Sequence, residues 1–112
     1  MTSTRQYKVS RLLQKELGQV FQREGNSIFT GKMITVTEVR ITPDLGQAKV
    51  FLSIFPAAEK AIFDRIMEHH TQHIRHELGM RIRHQLRVVP ELQFFLDDSL
   101  DYIENIDRLL KK

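Results

Sequence analysis

Apolar residues recur at three- and four-residue spacing from the start of the chain. Val9, Leu12, Leu13, Leu17, Val20 and Phe21 form one stripe, which predicts a first helix from Thr4 or Tyr7 to Arg23. Gly25 and Asn26 tolerate left-handed backbone and are read as its stop. Gly18 interrupts the pattern, at a cost in helix propensity and with room for a close backbone approach. The period then shortens to two. Met33 to Thr42 is rich in β-branched residues and reads as a strand, and Gln47 to Phe55 reads as the next. In the first, the apolar phase switches between Val36 and Val39, so a bulge is expected near Thr37-Glu38. Pro43-Asp44-Leu45-Gly46 is a turn, and the short link makes an antiparallel hairpin. Ala48, Val50, Leu52 and Ile54 share one side of the second strand; Lys49, Phe51, Ser53 and Phe55 share the other.

Pro56 ends that strand, and a helical pattern runs from Glu59 to Leu86. As one straight helix it would extend about 42 Å, long for so small a fold. With Ile62 at 0° on a helical wheel, Ile66, Phe63 and Met67 fall at about 40°, 100° and 140°. Ile74, Leu78, Ile82 and Leu86 fall at about 120° to 240°. The stripe has rotated, which predicts a kink between Glu68 and His73, near His69 to Gln72. Val88-Val89-Pro90 then marks a boundary, and Leu92 to Leu96 reads as a third strand. A final helix is expected over 99–110, capped by Asp97, Asp98 or Ser99, with Leu100, Ile103, Ile106 and Leu110 as its stripe.

The order is helix, strand, strand, kinked helix pair, strand, helix. It predicts an α+β fold with a three-stranded sheet covered on one face. A length of 112 residues suits a single domain spanning 1–112. There are no cysteines, which excludes disulfides and Cys-ligated metals. No apolar run approaches the roughly 18 residues of a membrane span, and the polar start shows no secretory signal. No membrane is therefore expected as a partner.

The net charge of +3 names no partner by itself, but its distribution is uneven. Residues 1–90 carry a net +6 and residues 91–112 a net −3. Arg75, Arg81, Arg83 and Arg87 stand against one acid, Glu77, between residues 69 and 90. His69, His73, His76, Met80, Arg83 and Arg87 follow spacings of 4, 3, 4, 3 and 4, a single ridge if the helix is continuous. Arginine forks and histidine N–H groups on such a ridge suit successive phosphates. A hydrated polar face with no ligand accounts for the same pattern. Metal binding by His69, His73 and His76 with Glu77 or His70 is the weaker reading, because no His-Glu-x-x-His order is present. Asp97, Asp98 and Asp101 are better read as helix-start residues than as catalytic acids. Phe51 and Phe55 suit stacking on bases, although packing under the final helix is the favoured reading.

Four segments together carry a family resemblance. They are Val9-Ser10-Arg11-Leu12-Leu13-Gln14-Lys15-Glu16-Leu17; Ile34 to Val39 with Arg40-Ile41-Thr42-Pro43-Asp44-Leu45 and Ala48-Lys49-Val50; Ile74-Arg75-His76-Glu77-Leu78-Gly79-Met80-Arg81-Ile82; and Leu86-Arg87-Val88-Val89-Pro90-Glu91-Leu92-Gln93-Phe94. In order and spacing the chain resembles the ribosome-binding factor A family over Tyr7 to Leu110. The resemblance implies a type II K-homology-like domain without a Gly-x-x-Gly loop. It also implies a kink of the form Ala-x-Gly between the central helices. His70-Thr71-Gln72 stands at those positions, departing at both small residues. The implied role is a non-catalytic, cytoplasmic bacterial assembly factor. It would bind the immature small ribosomal subunit and support maturation of its rRNA, including the 5′ helix region. The RNA-binding set expected here is Arg75, Arg81, Arg83 and Arg87, helped by Lys8, Arg11, Lys15, Lys49, His73 and His76. No cofactor or metal is expected, and a monomer is the expected state. The alternatives are a small protein-interaction domain without direct RNA contact and, further off, a histidine-centred metallohydrolase.

Overall fold

The structure, a computed structural model, describes residues 3–97. The helix expected over 99–110 lies outside them. The elements are α1 (Thr4–Ile28), β1 (Met33–Ile41), β2 (Gln47–Phe55), α2 (Lys60–Ile82) and β3 (Glu91–Leu96). Strand order is β1-β2-β3, with β1 antiparallel and β3 parallel to β2. Both helices pack on one face of the sheet. Their fully buried Leu13, Leu17, Phe63, Ile74, Leu78 and Ile82 meet Val50 and Leu52 of the central strand. The register of the hairpin slips between Val36 and Glu38, at the expected bulge.

Helix α1 begins with a reciprocal cap. Ser3 Oγ accepts from Gln6 N at 3.1 Å, and Gln6 Oε1 accepts from Ser3 N at 3.0 Å. The same glutamine is buried, and its Nε2 donates to Ile41 O at 3.0 Å. One side chain thus caps the helix and ties it to the end of β1.

Two sequence expectations for α1 are corrected. The helix does not stop at Arg23 but continues to Ile28. Gly25 is buried inside it, where a Cβ would approach Ile34 Cδ1 to 3.3 Å. That glycine serves close packing against β1 and does not terminate the helix. Gly18 is the reverse case: a Cβ there would meet nothing within 4 Å, so no close approach explains it.

The kinked central helix pair is also corrected. Lys60–Ile82 is one uninterrupted helix, passing through His70-Thr71-Gln72 without a break. Its buried residues are Phe63, Met67, Ile74, Leu78 and Ile82. On the same wheel these lie within about 100° of one another, a single stripe. The apparent rotation arises when Ile62, which is 44% exposed, and the half-buried Ile66 are counted as core. Midway, Thr71 Oγ1 donates to Met67 O at 2.6 Å, which satisfies the hydroxyl on a partly buried face. The helix also ends earlier than expected. Gln85 N and Leu86 N both donate to Ile82 O, so residues 83–90 form a loop.

Candidate nucleic-acid interface

Helices α1 and α2 run antiparallel, and charged side chains lace their seam. Arg81 Nε donates to Glu16 Oε2 at 2.7 Å, and its Nη2 bonds Gln19 Oε1. Further along the seam, Arg23 Nη2 donates to Glu77 Oε2 at 2.7 Å. His73 Nε2 lies 3.1 Å from Glu24 Oε1. This pairing carries the loop after Ile82 towards the N-terminal half of α1.

Arg75 fixes that loop. Its Nη2 donates to Val89 O at 2.7 Å and its Nε to Pro90 O at 3.0 Å. These carbonyls sit beside the buried Pro90, where a lost partner would leave a polar group dry. On the same side of α2, a Cβ at Gly79 would come within 3.1 Å of Val89 Cγ2. Helix and loop approach so closely there that only glycine fits without adjustment.

The expected RNA-binding residues therefore divide. Arg75, Arg81 and His73 are engaged inside the domain. Arg83 and Arg87 are exposed in the loop; Arg87 has no partner among the described residues, and Arg83 has only neighbouring His84 Nε2 at 3.4 Å. Lys8, Arg11 and Lys15 are exposed on α1 at spacings of three and four, on one helix flank, and form no ion pair among the described residues. Gln6 ties this end of α1 to Ile41, and Glu91 N donates to Gly46 O at 2.9 Å. The start of α1, the hairpin turn and the loop before β3 thus gather at one end of the domain. His76 is exposed on the outer face of α2, near the exposed Met80. Of the expected ridge, His69, His76 and Met80 are exposed on the helix, His73 turns to Glu24, and Arg83 and Arg87 follow from a loop and not from the helix. Lys49 lies elsewhere, exposed on the face of β2 opposite Ala48, Val50 and Leu52.

The histidines do not assemble as a metal set in the expected way. His73 turns to α1, where Glu24, His73 and Glu77 bring ligand atoms within 4.8 Å. Arg23 already stands against those carboxylates, 2.7 Å from Glu77 and 3.9 Å from Glu24. The group is better described as an ion-paired seam. Asp44 in the hairpin turn accepts from Thr42 Oγ1 at 2.6 Å and Gly46 N at 2.9 Å. The Thr42 hydroxyl, then the Gly46 amide, hold its carboxyl below the usual range. It sets the turn and touches no other charge in the site.

Comparison with known proteins decides the family. The profile described as ribosome-binding factor A matches residues 5–110. The chain belongs to the ribosome-binding factor A family. It is 42% identical over 112 residues to ribosome-binding factor A of Cytophaga hutchinsonii, covering 100% of this chain and 84% of that one. It is 43% identical over 111 residues to ribosome-binding factor A of Christiangramia forsetii, covering 97% and 84%. The crystal structure of ribosome-binding factor A from Thermus thermophilus shares the fold. Its TM-score is 0.67 at 20% identity, over 81% of this chain and 94% of that one. A Thermus thermophilus ribosome-binding factor A homology model, fitted into a cryo-EM map of a 30S complex, gives a TM-score of 0.62 at 23% identity. That match covers 78% and 89%. The ribosome-binding factor A family has a general role in ribosome assembly and is non-catalytic; the chain is not an enzyme. Among the described residues, no helix is long and apolar enough to cross a membrane.

Proposed function

We propose that this chain is a cytoplasmic assembly factor that binds the immature small ribosomal subunit through its rRNA. It acts as a single K-homology-like domain over residues 1–112, and as a monomer. One observation carries the reading: Arg83, Arg87, Lys8, Arg11 and Lys15 are exposed, form no ion pair among the described residues and lie towards one end of the fold. Cations left without carboxylates are available to phosphates, and a rigid support keeps them spaced. Such contacts position RNA without reading its sequence, which suits a factor that holds a conformation during maturation of the 5′ helix region. Arg75 and Arg81 belong to the support, and His76 extends the surface along α2.

Counterion release gives the test. Five phosphate contacts correspond to a log–log salt slope of about −4. Binding of small-subunit rRNA precursors should show that dependence and should exceed binding to arbitrary duplex RNA. Absence of binding to both precursor RNA and immature subunits at low salt would remove the proposal.

A protein-interaction reading also has an observation behind it. Tyr7, Met80 and Val88 are 60%, 56% and 68% exposed near the same end. Exposed apolar groups beside a charged rim suit a protein contact. Binding to immature subunits that ignores salt and persists after the subunit's RNA is digested would favour it.

A further inference from the structure

On the side of the sheet opposite Ala48, Val50 and Leu52, the chain bends inwards as it leaves β3. Asp97 N donates to Leu52 O at 2.7 Å, so the parallel pairing with β2 runs on to this residue. Side chains alternate along a strand, which puts Asp97 on the same side as Phe95. Its Oδ2 accepts from Thr37 Oγ1 at 2.6 Å. Thr37 sits in the bulge of β1, the strand beyond β2, so this bond carries the chain across β2. Exposure is graded about that crossing. Ser53 is only 6% exposed, although Thr35 directly opposite it is open to solvent. Phe51, stacked on Phe95 with ring centroids 5.4 Å apart, is half-buried. In the other direction, Phe55 and its cross-strand partner Met33 are 46% and 66% exposed. Charge is uneven as well. Arg40 and Lys49 are direct cross-strand partners, and like charges so placed cost stability unless acids join them. Glu38 reaches Arg40 at 3.0 Å, but Lys49 forms no ion pair among the described residues.

The sequence beyond Asp97 complements this surface. Residues 98–107 hold four acids, Asp98, Asp101, Glu104 and Asp107, and no Lys or Arg. Leu100, Ile103, Ile106 and Leu110 recur at helical spacing. We propose that this face is the seat of the chain's own residues 98–112. They return over β2 from Ser53 towards Gln47, with the apolar stripe on Phe51 and Phe95 and the acids beside Arg40 and Lys49. The lengths agree: a helix from 98 to 110 spans about 18 Å, and the strand from Ser53 back to Gln47 about 20 Å. The opposite direction would cover Phe55 and Met33, which are open, and would leave Arg40 and Lys49 facing each other. Lys49 then serves the docked segment and not RNA. The cations around Arg83 and Arg87 are untouched by this contact, so it stands apart from the RNA-binding reading.

The test uses the full chain, without RNA. Because the chain has no cysteine, Asn105→Cys takes a nitroxide label at one place, off the apolar stripe. In the NMR spectrum of the labelled chain, amide signals of Lys49 and Phe51 should lose the most intensity. Those of Phe55 and Met33 should lose less, and those around His76 on the outer face of α2 least. Ile103→Asp with Ile106→Asp should abolish the loss at Lys49 and Phe51. If that variant fails to fold, Lys49→Glu carries the test, since this residue is exposed. It should cut the loss at Phe51 by at least half at low salt. No loss at the strands, or a loss centred on Phe55 and Met33 or on the helices, would overturn the proposal. So would an undiminished loss in both variants, or in Lys49→Glu alone where the other does not fold. The same broadening in a mixture with label and isotope on different chains would also overturn it, and would assign the contact to a second copy.

Discussion

The seam between α1 and α2 and the loop over residues 83–90 use the same residue types for opposite ends. In the seam, Arg81 meets Glu16, Arg23 meets Glu77 and His73 meets Glu24. In the loop, Arg83 and Arg87 meet no carboxylate among the described residues. A cation already paired with a carboxylate has less to gain from a phosphate, since it must first give up its partner. A count of arginines therefore overstates an interface. The pairing partner, and not the residue type, separates support from contact.

Reversing the two loop cations is expected to have the largest effect. Arg83→Glu with Arg87→Glu should lower affinity for small-subunit precursor RNA by about 100-fold at moderate salt, since two attractions become repulsions. Its unfolding midpoint should stay within experimental scatter, because both residues are exposed. A large loss of stability in that variant would move these arginines from contact to support.

Arg75→Ala should do the reverse. It removes the donors to Val89 and Pro90 carbonyls, at a cost of about 1–3 kcal/mol in chemical denaturation. Amide exchange over residues 86–90 should speed up at the same time. Unchanged protection there would mean that the loop holds itself.

The helical glycines sharpen the contrast between open and crowded surfaces. Gly18→Ala meets nothing within 4 Å and should stabilise the fold by about 1 kcal/mol through helix propensity. Gly79→Ala must displace Val89 from 3.1 Å and should lose that gain. Thermal melts of the two variants should therefore move apart.

The smallest expected effect is that of pH at the hairpin turn. Asp44 has a lowered folded-state carboxyl, so its contribution is present above the unfolded value of about 3.9 and is lost as pH falls through the folded one. Asp44→Asn should lower stability slightly at neutral pH, where that contribution is present, and so flatten the acid limb of the stability curve. An acid limb as steep as the wild type's would mean that the turn draws nothing from the ionised carboxylate.

Much of this fold is legible from residue pattern. The hairpin and its bulge follow from a strict period of two broken at Thr37-Glu38, and β2 begins and ends where the sequence pattern places it. The continuity of α2 is not legible, because an exposed isoleucine has the same letter as a buried one. Ile62 at 44% exposure is enough to turn a straight stripe into a rotating one. Gly25 misleads for a related reason: glycine marks both stops and close approaches, and only Ile34 distinguishes them. In the candidate site, the loop arginines are legible by type and position. The engagement of Arg81 is not, since Glu16 lies 65 residues away in sequence.

The division between support and contact is tested most directly by the salt dependence of rRNA binding in two neutral variants. Arg83→Gln with Arg87→Gln is expected to reduce the log–log slope by about two, since two phosphates then keep their counterions. Arg81→Gln, compared at a temperature where both proteins are folded, is expected to keep the wild-type slope. Equal slopes for wild type and the loop variant, or a flattened slope in Arg81→Gln alone, would contradict the account.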